Sequence, residues 1–580
     1  MNIKYIIKKN IEQALINIGL EKYYEPLIVS SKKIKFGNYQ VDNLIKIANK
    51  NQIEPYELYK KIIFIIKTKN IYQKITFSYP GFINIFISKK WLSKKLEELF
   101  ISPRLGIKYV SPKQTIVVDY SSPNIAKEMH IGHLRSTIIG DVTARTLEFL
   151  GYNVIRANHI GDWGTQFGML IAYLKYKKLE KKLKENLISL KEIEEFYCKS
   201  KEKCDLDKDF ERESRKYVVK LQNGDDHCHY IWKKLVSITM KYNYNIYKKL
   251  NVTLNKEHTM GESLYSKMLP EIVKDLKEKK IAIEKNGTTI IFLDEFKNRF
   301  GQHMGVVIQK KDKAFLYATT DIACLKYRYE KLNADRIIYY TDSRQKQHLL
   351  QIWAISKKAN YIPQNLLLEH HTFGMMLYKN KRPFKTRDGN TIKLIELLEE
   401  AINRAKILIK QKKPNLNKKK LIKLANIIGI SAVKYADLSK NRNTNYIFDW
   451  DTMLSFEGNT SPYIQYAYTR IMSIIKKSKI PINKISEKID LTEETEVKLA
   501  IKLLEFEEII LIIEKKGTPH IMCNYLYQLA THFSTFYENC SILFSKKIKT
   551  CKSRLKLSFL TAKTLKKGLN ILGIKILKKM

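Results

Sequence analysis

The 580-residue chain has few cysteines, few acids for its bases, no long apolar run and no internal repeat. Its seven cysteines, Cys198, Cys204, Cys228, Cys324, Cys523, Cys540 and Cys551, are odd in number and scattered, and none forms a C-x-x-C pair. That pattern argues against a disulfide framework and a zinc ribbon, and it fits a reducing cytosol. The His227-Cys228-His229 run offers ligand types, but neighbouring side chains diverge on a helix and no second ligand cluster lies nearby. It reads as structural. The opening MNIKYIIKKNIEQ lacks the apolar core of a secretory leader. The longest aliphatic-aromatic stretch, as at 62–66, falls far below the ~18 residues that span a bilayer. A soluble, cytoplasmic protein is the expectation.

What is present is a long, basic chain rich in core material. At roughly 100–200 residues per domain, about three to five domains are expected, which excludes a single small binding module. Apolar residues make up 44% and aromatics 11%, so disorder does not follow from the charge. Lys and Arg total 105 against 58 Asp and Glu, a formal charge of +47. Such an excess suits a polyanionic partner, nucleic acid first and an acidic membrane surface second. Lys, Ile, Asn and Tyr are all abundant and all have AT-rich codons, so codon drift is a second source of the same charge.

Residues 1–105 read as mixed helix and strand, with turn-plus-strand signals at 36–40 and 80–87 and a break at Pro103 and Gly106. TIVVDY, from Thr115, has the character of a buried parallel strand. A loop, SSPN, follows, then a helical pattern from near His130 to a glycine cap at Gly151, then the strand NVIRAN. Strand, loop, helix and strand make a βαβ unit and hence a parallel sheet. Further strands are expected at 288–293, 305–309 and 336–341, with helices between them. Residues 175–250 are Lys/Glu-rich and read as a helical insertion. From 393 onward the i, i+3, i+4 apolar spacing reads as almost all helix. The final forty residues, 541–580, contain no acid.

The strongest chemical signal is SSPNIAKEMHIGHLRST, residues 121–137. It sets His130 and His133 around Gly132 where a strand hands over to a helix. Unpaired N–H groups and the positive end of a helix suit phosphate there, and imidazoles can donate to phosphate oxygens as charge moves. Gly132 leaves room for a flat base. The place matters as much as the residues, because α/β sheets bind ligands beyond the carboxyl ends of their strands.

These residues resemble the class I aminoacyl-tRNA synthetases, and the wider wording resembles the arginyl-tRNA synthetases. The likeness is carried by the 121–137 stretch together with 158–168, 317–328, 340–349, 370–376, 383–391 and 449–470, in the family's order across nearly the whole chain. FGNYQ and GFINI resemble the family's extra N-terminal domain. The resemblance implies a multidomain α/β plus all-α architecture. It divides into an α+β N-terminal tRNA-binding domain (1–105), a Rossmann-type parallel-sheet catalytic domain (113–395), a helical connector (396–450) and a C-terminal α-helical anticodon-binding bundle (451–580).

It also implies a two-step ligation of L-arginine to the terminal adenosine of tRNA(Arg), driven by ATP with Mg²⁺, with no zinc, no other metal site and no prosthetic group, by a monomer. His130, His133, Lys127 and Lys385 are the implied catalytic residues. Pro123, Gly132, His133, His370, Phe384 and Lys385 are implied at ATP. Asp119, Asn124, His130, Tyr317, Asp321 and Gln345 are implied at arginine, with Tyr317 and Asp321 four apart and so on one helix face. A guanidinium fork calls for carboxylates in this otherwise basic chain. The family's mobile signature loop departs from its usual form here. Arg382 stands at its first lysine position, so that Arg382 or Lys127 supplies the second cation beside Lys385. His159, Asp162, Trp163 and Gln166 form a second polar cluster near ATP or the aminoacyl group. Tyr463, Tyr466, Tyr468 and Arg470 suit stacking on anticodon-loop bases. The basic tail, including Lys546, Lys547, Arg554 and Lys579, suits phosphate contact. A catalytically inactive tRNA-binding relative is the alternative, against which His130, Gly132, His133 and Lys385 stand intact.

Overall fold

The computed structural model describes residues 2–20, 25–31, 33–298, 300–378, 392–545 and 547–577. The N-terminal part packs helices Ile3–Asn17, Leu44–Lys50 and Pro55–Ile66 with a four-stranded antiparallel sheet in the order Ile28–Ser30, Tyr39–Val41, Phe82–Ile87, Tyr72–Ser78. Local chemistry sets the helix starts. Glu54 accepts the N–H of Glu57 with Pro55 in the first turn, and Ser88 caps the helix Lys89–Ile101.

The parallel sheet has five strands in the spatial order Leu367–His370, Arg336–Tyr339, Thr115–Asp119, Asn153–Ile160, Thr259–Gly261. In chain order that is 5-4-1-2-3. The direction of winding reverses between Thr115–Asp119 and Arg336–Tyr339, and a crevice opens beyond their carboxyl ends. The helix Gly132–Leu150 starts at that crevice and ends where Gly151 takes the left-handed conformation at φ 100°. It is buried along nearly its whole length, polar residues Arg135, Asp141 and Thr143 included, because helices of the C-terminal half cover the face that the sheet does not.

Helices Thr165–Tyr176, Glu180–Lys184, Leu190–Leu206, Lys208–Gln222 and Asp226–Leu250 are inserted between the second and third strands and share a core around Phe167, Ile193 and Leu235. The strands expected at 288–293 and 305–309 exist, but they are not in the parallel sheet and no helix separates them. Thr288–Lys297 and His303–Gln309 form a hairpin that, with Ala282–Lys285, makes a separate antiparallel sheet. Asn298 closes the turn, its side chain accepting the N–H groups of Phe300 and Gln302.

The C-terminal half consists chiefly of helices Leu394–Lys412, Lys418–Leu438, Ser461–Ser478, Glu494–Leu504, Phe506–Lys516, His520–Asn539 and Ile548–Ile571. Part of the basic tail is taken up within the fold. Arg554 is buried and ion-paired to Glu496, and Lys556 is buried against Glu97 of the helix Lys89–Ile101. Lys547 is exposed, whereas Lys546 and Lys579 lie outside the described residues. Among the described residues, no helix is long and apolar enough to cross a membrane.

Candidate active site

The turn after Thr115–Asp119 holds three non-glycine residues at positive φ: Ser121 (75°), Ser122 (48°) and Ala126 (64°). Each has its backbone N–H held by a side chain. Ser136 Oγ accepts from Ser121 at 3.0 Å, Asn158 Oδ1 from Ser122 at 3.1 Å and Thr239 Oγ1 from Ala126 at 3.2 Å. Strained backbone fixed by three different elements marks a functional turn. Pro123 is buried inside it and Asn124 is exposed on it. The Asn124 side chain lies over Gly161, where a Cβ would sit 2.7 Å from its Oδ1.

His130 and His133 close the turn with ring centroids 4.0 Å apart. His130 Nδ1 accepts the N–H of Gly132 at 3.1 Å, so its hydrogen is on Nε2. His133 Nδ1 lies 3.2 Å from the N–H of His130 and 3.3 Å from the carbonyl of His130. That carbonyl already accepts the N–H of His133 at 2.9 Å. Nδ1 is therefore assigned as the acceptor for the His130 N–H, which puts the His133 hydrogen on Nε2 as well. Burial and the neighbouring His130 push His133 down to about 3, and burial with the Lys393 and Lys127 cations lowers His130. Both rings are neutral donors at neutral pH. Gly132 has no room for a side chain, since a Cβ would stand 2.8 Å from His130 Cε1.

Across the crevice, Asp321 on the helix Tyr317–Glu330 accepts from His348 Nε2 at 2.6 Å, and its Oδ1 lies 4.0 Å from His159 Nε2. Tyr317 is exposed one turn earlier on the same helix, and Gln345 is exposed one turn before His348. Glu262 joins them. Burial, with Asp321 and Asp162 also raising it against the pull of His159, brings it up to about 7. Burial raises Tyr317, and the Glu262 charge adds to that rise. Glu262 was not anticipated from the sequence; it starts the 3₁₀ turn Glu262–Met268 after the three-residue strand Thr259–Gly261. His159 itself is raised to about 9, burial being outweighed by Cys324 and Asp119.

Asp119 does not present a free carboxylate to this pocket. Its Oδ2 is ion-paired with the buried Arg328, and its Oδ1 accepts from Ser122 Oγ at 3.0 Å. Through these two contacts it anchors the turn. Trp163 packs edge-on to Trp232 at 5.9 Å, and Trp232 Nε1 donates to the Asp162 carbonyl. Asp162 is taken up by Ser263, and Gln166 by the Trp163 carbonyl. His370 ends the outer strand with Nε2 2.9 Å from Thr341 Oγ1, its buried Nδ1 unpartnered among the described residues. Lys127 is exposed beside the turn. Arg382, Pro383, Phe384 and Lys385 lie outside the described residues.

On the helix Ser461–Ser478, Tyr466 is exposed, Tyr463 is half-buried against Tyr527, and Arg470 lies 4.3 Å over the Tyr537 ring. Tyr468 is buried, with only 7% of it exposed, and faces the core instead of a base. His227 and Cys228 do gather near Asp225 at a helix start. Asp225 caps the N–H of Cys228, and burial with Asp225 pushes the Cys228 thiol up to about 11.

Three family models cover the chain. "Arginyl tRNA synthetase N terminal domain" matches residues 5–87 and "tRNA synthetases class I (R), catalytic domain" matches 95–450. "DALR anticodon binding domain" matches 464–580. The chain belongs to the arginyl-tRNA synthetases. It is 72% identical over 580 residues to the arginine–tRNA ligase of Buchnera aphidicola subsp. Schizaphis graminum, covering all of both chains. It is 54% identical over 582 residues to that of Yersinia enterocolitica, again over the full length of both. The arginyl-tRNA synthetase structure from Plasmodium falciparum superposes at a TM-score of 0.84 with 34% identity, over 100% of this chain and 99% of that one. The Thermus thermophilus arginyl-tRNA synthetase shares the fold at a TM-score of 0.81 and 21% identity, with full coverage of both.

Proposed function

We propose that the switch-point residues carry arginine–tRNA ligation in two steps. The arginine carboxylate attacks the α-phosphorus of ATP, the bond to the β-phosphate breaks, and pyrophosphate leaves. The ribose 2′-hydroxyl of the terminal adenosine of tRNA(Arg) then attacks the activated carbonyl, and AMP leaves. His130 and His133 donate from Nε2 to phosphate oxygens whose negative charge grows in the first step. Gly132 and Pro123 shape the floor for the adenosine, with His370 at its edge. Lys127 and Lys385 hold the pyrophosphate as Mg²⁺–ATP reacts. Asn124 and His130 hold the α-amino and carboxylate end of arginine, and Tyr317 and Gln345 line its side chain.

Asp321 and Glu262 receive the guanidinium fork, and this pair carries the reading. Asp321 lies near enough to Glu262 to raise it, and the Glu262 charge acts on the exposed Tyr317, in a protein of charge +47. Lysine leaves part of a fork-shaped site unpaired and is rejected for that reason. The enzyme works as a cytoplasmic monomer. The segments 1–105 and 451–580 take the tRNA and 396–450 links them to the catalytic domain 113–395, with Tyr463, Tyr466 and Arg470 toward the anticodon loop.

Charging of tRNA(Arg) with arginine and with lysine, in wild type and in Asp321→Asn, tests the pocket. One lost charge-assisted contact raises KM for arginine about tenfold to a hundredfold. An unchanged KM in Asp321→Asn refutes the assignment.

A further inference from the structure

The helical insertion brings two side chains onto the adenylate turn that no sequence motif includes. On the helix Leu190–Leu206, the ring of Tyr197 lies 4.8 Å from Lys127 Nζ. One turn earlier, Glu194 accepts the backbone N–H of Glu128 at 3.3 Å and is ion-paired to Lys393. Lys393 also lies 3.6 Å from Glu128 Oε2. Lys393 in turn bridges His130 across an antiparallel pair. Ile131 donates to the carbonyl of Ile392 at 3.1 Å, and Leu394 donates to that of Met129 at 2.9 Å.

One face of one helix therefore touches both Lys127–Glu128 and the segment that follows residues 379–391 in the chain. The helix is well anchored for this. Ser189 and Glu192 form a capping box at its start, and Ile193, next to Glu194, is fully buried. A lysine on a flexible stem loses rotamer freedom when it meets phosphate, so an aromatic face that fixes the ammonium beforehand lowers that cost.

We propose that Tyr197 and Glu194 are positioning residues of adenylate formation. Tyr197 holds the Lys127 ammonium beside the His130–His133 turn, and Glu194 keeps that turn in register with Lys393. The proposal rests on the assignment of Lys127 to the ATP phosphates.

The test is ATP–pyrophosphate exchange, with kcat and KM for ATP measured on full-length Tyr197→Ala, Tyr197→Phe, Glu194→Gln, Lys127→Ala and the Tyr197→Ala/Lys127→Ala double variant. Tyr197→Ala should lose about threefold to thirtyfold in kcat/KM for ATP, the size of one cation–π contact. Tyr197→Phe, which keeps the ring face, should stay within about twofold. Glu194→Gln should lower kcat while thermal stability and tRNA affinity hold. In the Lys127→Ala background, Tyr197→Ala should add nothing, because its partner is already gone.

A full Tyr197→Ala loss on top of Lys127→Ala overturns the proposal, as does an equal loss in Tyr197→Phe. A defective Lys127→Ala beside an unaffected Tyr197→Ala overturns the proposal and leaves the Lys127 assignment standing. An unaffected Lys127→Ala removes that assignment and the proposal with it.

Discussion

The Nδ1 of His133 faces the backbone N–H of His130 at 3.2 Å, and the two rings lie 4.0 Å apart. Each ring spends its Nδ1 on the backbone of the turn and keeps Nε2–H for a ligand. Gly132 makes the arrangement possible, because a Cβ there would meet the His130 ring at 2.8 Å and 3.0 Å. Gly132→Ala should therefore cut exchange by about a hundredfold, the cost of displacing a reacting group by roughly an ångström. The melting temperature should barely move, since Gly132 is exposed. Exchange kinetics beside a thermal melt check both.

His133 should stay neutral through the working range. Its folded value, about 3, is far below the 6.5 of a free imidazole, so the stability it contributes is complete above that free value and fades as pH falls toward about 3. Imidazole NMR titration should show no His133 inflection between pH 5 and 8. An inflection near the free value would mean the ring is solvated.

Glu262 should couple arginine binding to pH. Burial, then Asp321 and Asp162, raise it to about 7 against the opposing pull of His159. A guanidinium prefers the ionised acid, so arginine should bind more tightly as pH rises through about 7, with a proton released on binding. Calorimetry in two buffers of different ionisation enthalpy measures that proton, and Glu262→Gln should abolish both the proton and the slope.

Acid should loosen the outer edge of the parallel sheet. Glu369 is lowered to about 2 because hydrogen bonds from His371 and Arg336, with the Arg336 charge, outweigh the burial that opposes them. Its contribution is whole above its ordinary value of 4.5 and is lost as pH falls toward about 2. Arg336 also grips Glu514 of the helix Phe506–Lys516, so this edge ties sheet to bundle. The melting-temperature gap between wild type and Glu369→Gln should be full at pH 6 and narrow steadily below pH 4.

Arg470 and Tyr466 should serve tRNA without touching activation. Arg470→Ala and Tyr466→Ala should each weaken tRNA binding by about fivefold to a hundredfold, in the range of one stacking contact. Tyr468→Ala should instead lower the melting temperature, because Tyr468 is buried. Filter binding and a thermal melt separate the two effects.

The parts legible in the sequence were those that local pattern governs. TIVVDY, the His130–His133 turn, the Gly151 cap and the long C-terminal helices each advertise themselves through apolar period or turn chemistry. What tertiary packing decides stayed hidden. The β residues of 288–309 could not say which sheet they would join, and the answer lay in a turn closed by Asn298. Glu262 had no motif, because its burial depends on a three-residue strand pairing with Asn158–Ile160. The ion pairs that Asp119 makes with Arg328 and Arg554 with Glu496 join residues far apart in the chain and had no local signal. Charge in a sequence gives no sign of which partner it has already taken.

ATP–pyrophosphate exchange, run with each amino acid in turn and with or without tRNA, tests the central claim most directly. Exchange is expected with arginine and no other amino acid, and only when tRNA(Arg) is present. Exchange driven by another amino acid, or none at all from folded protein that still binds tRNA, would contradict it.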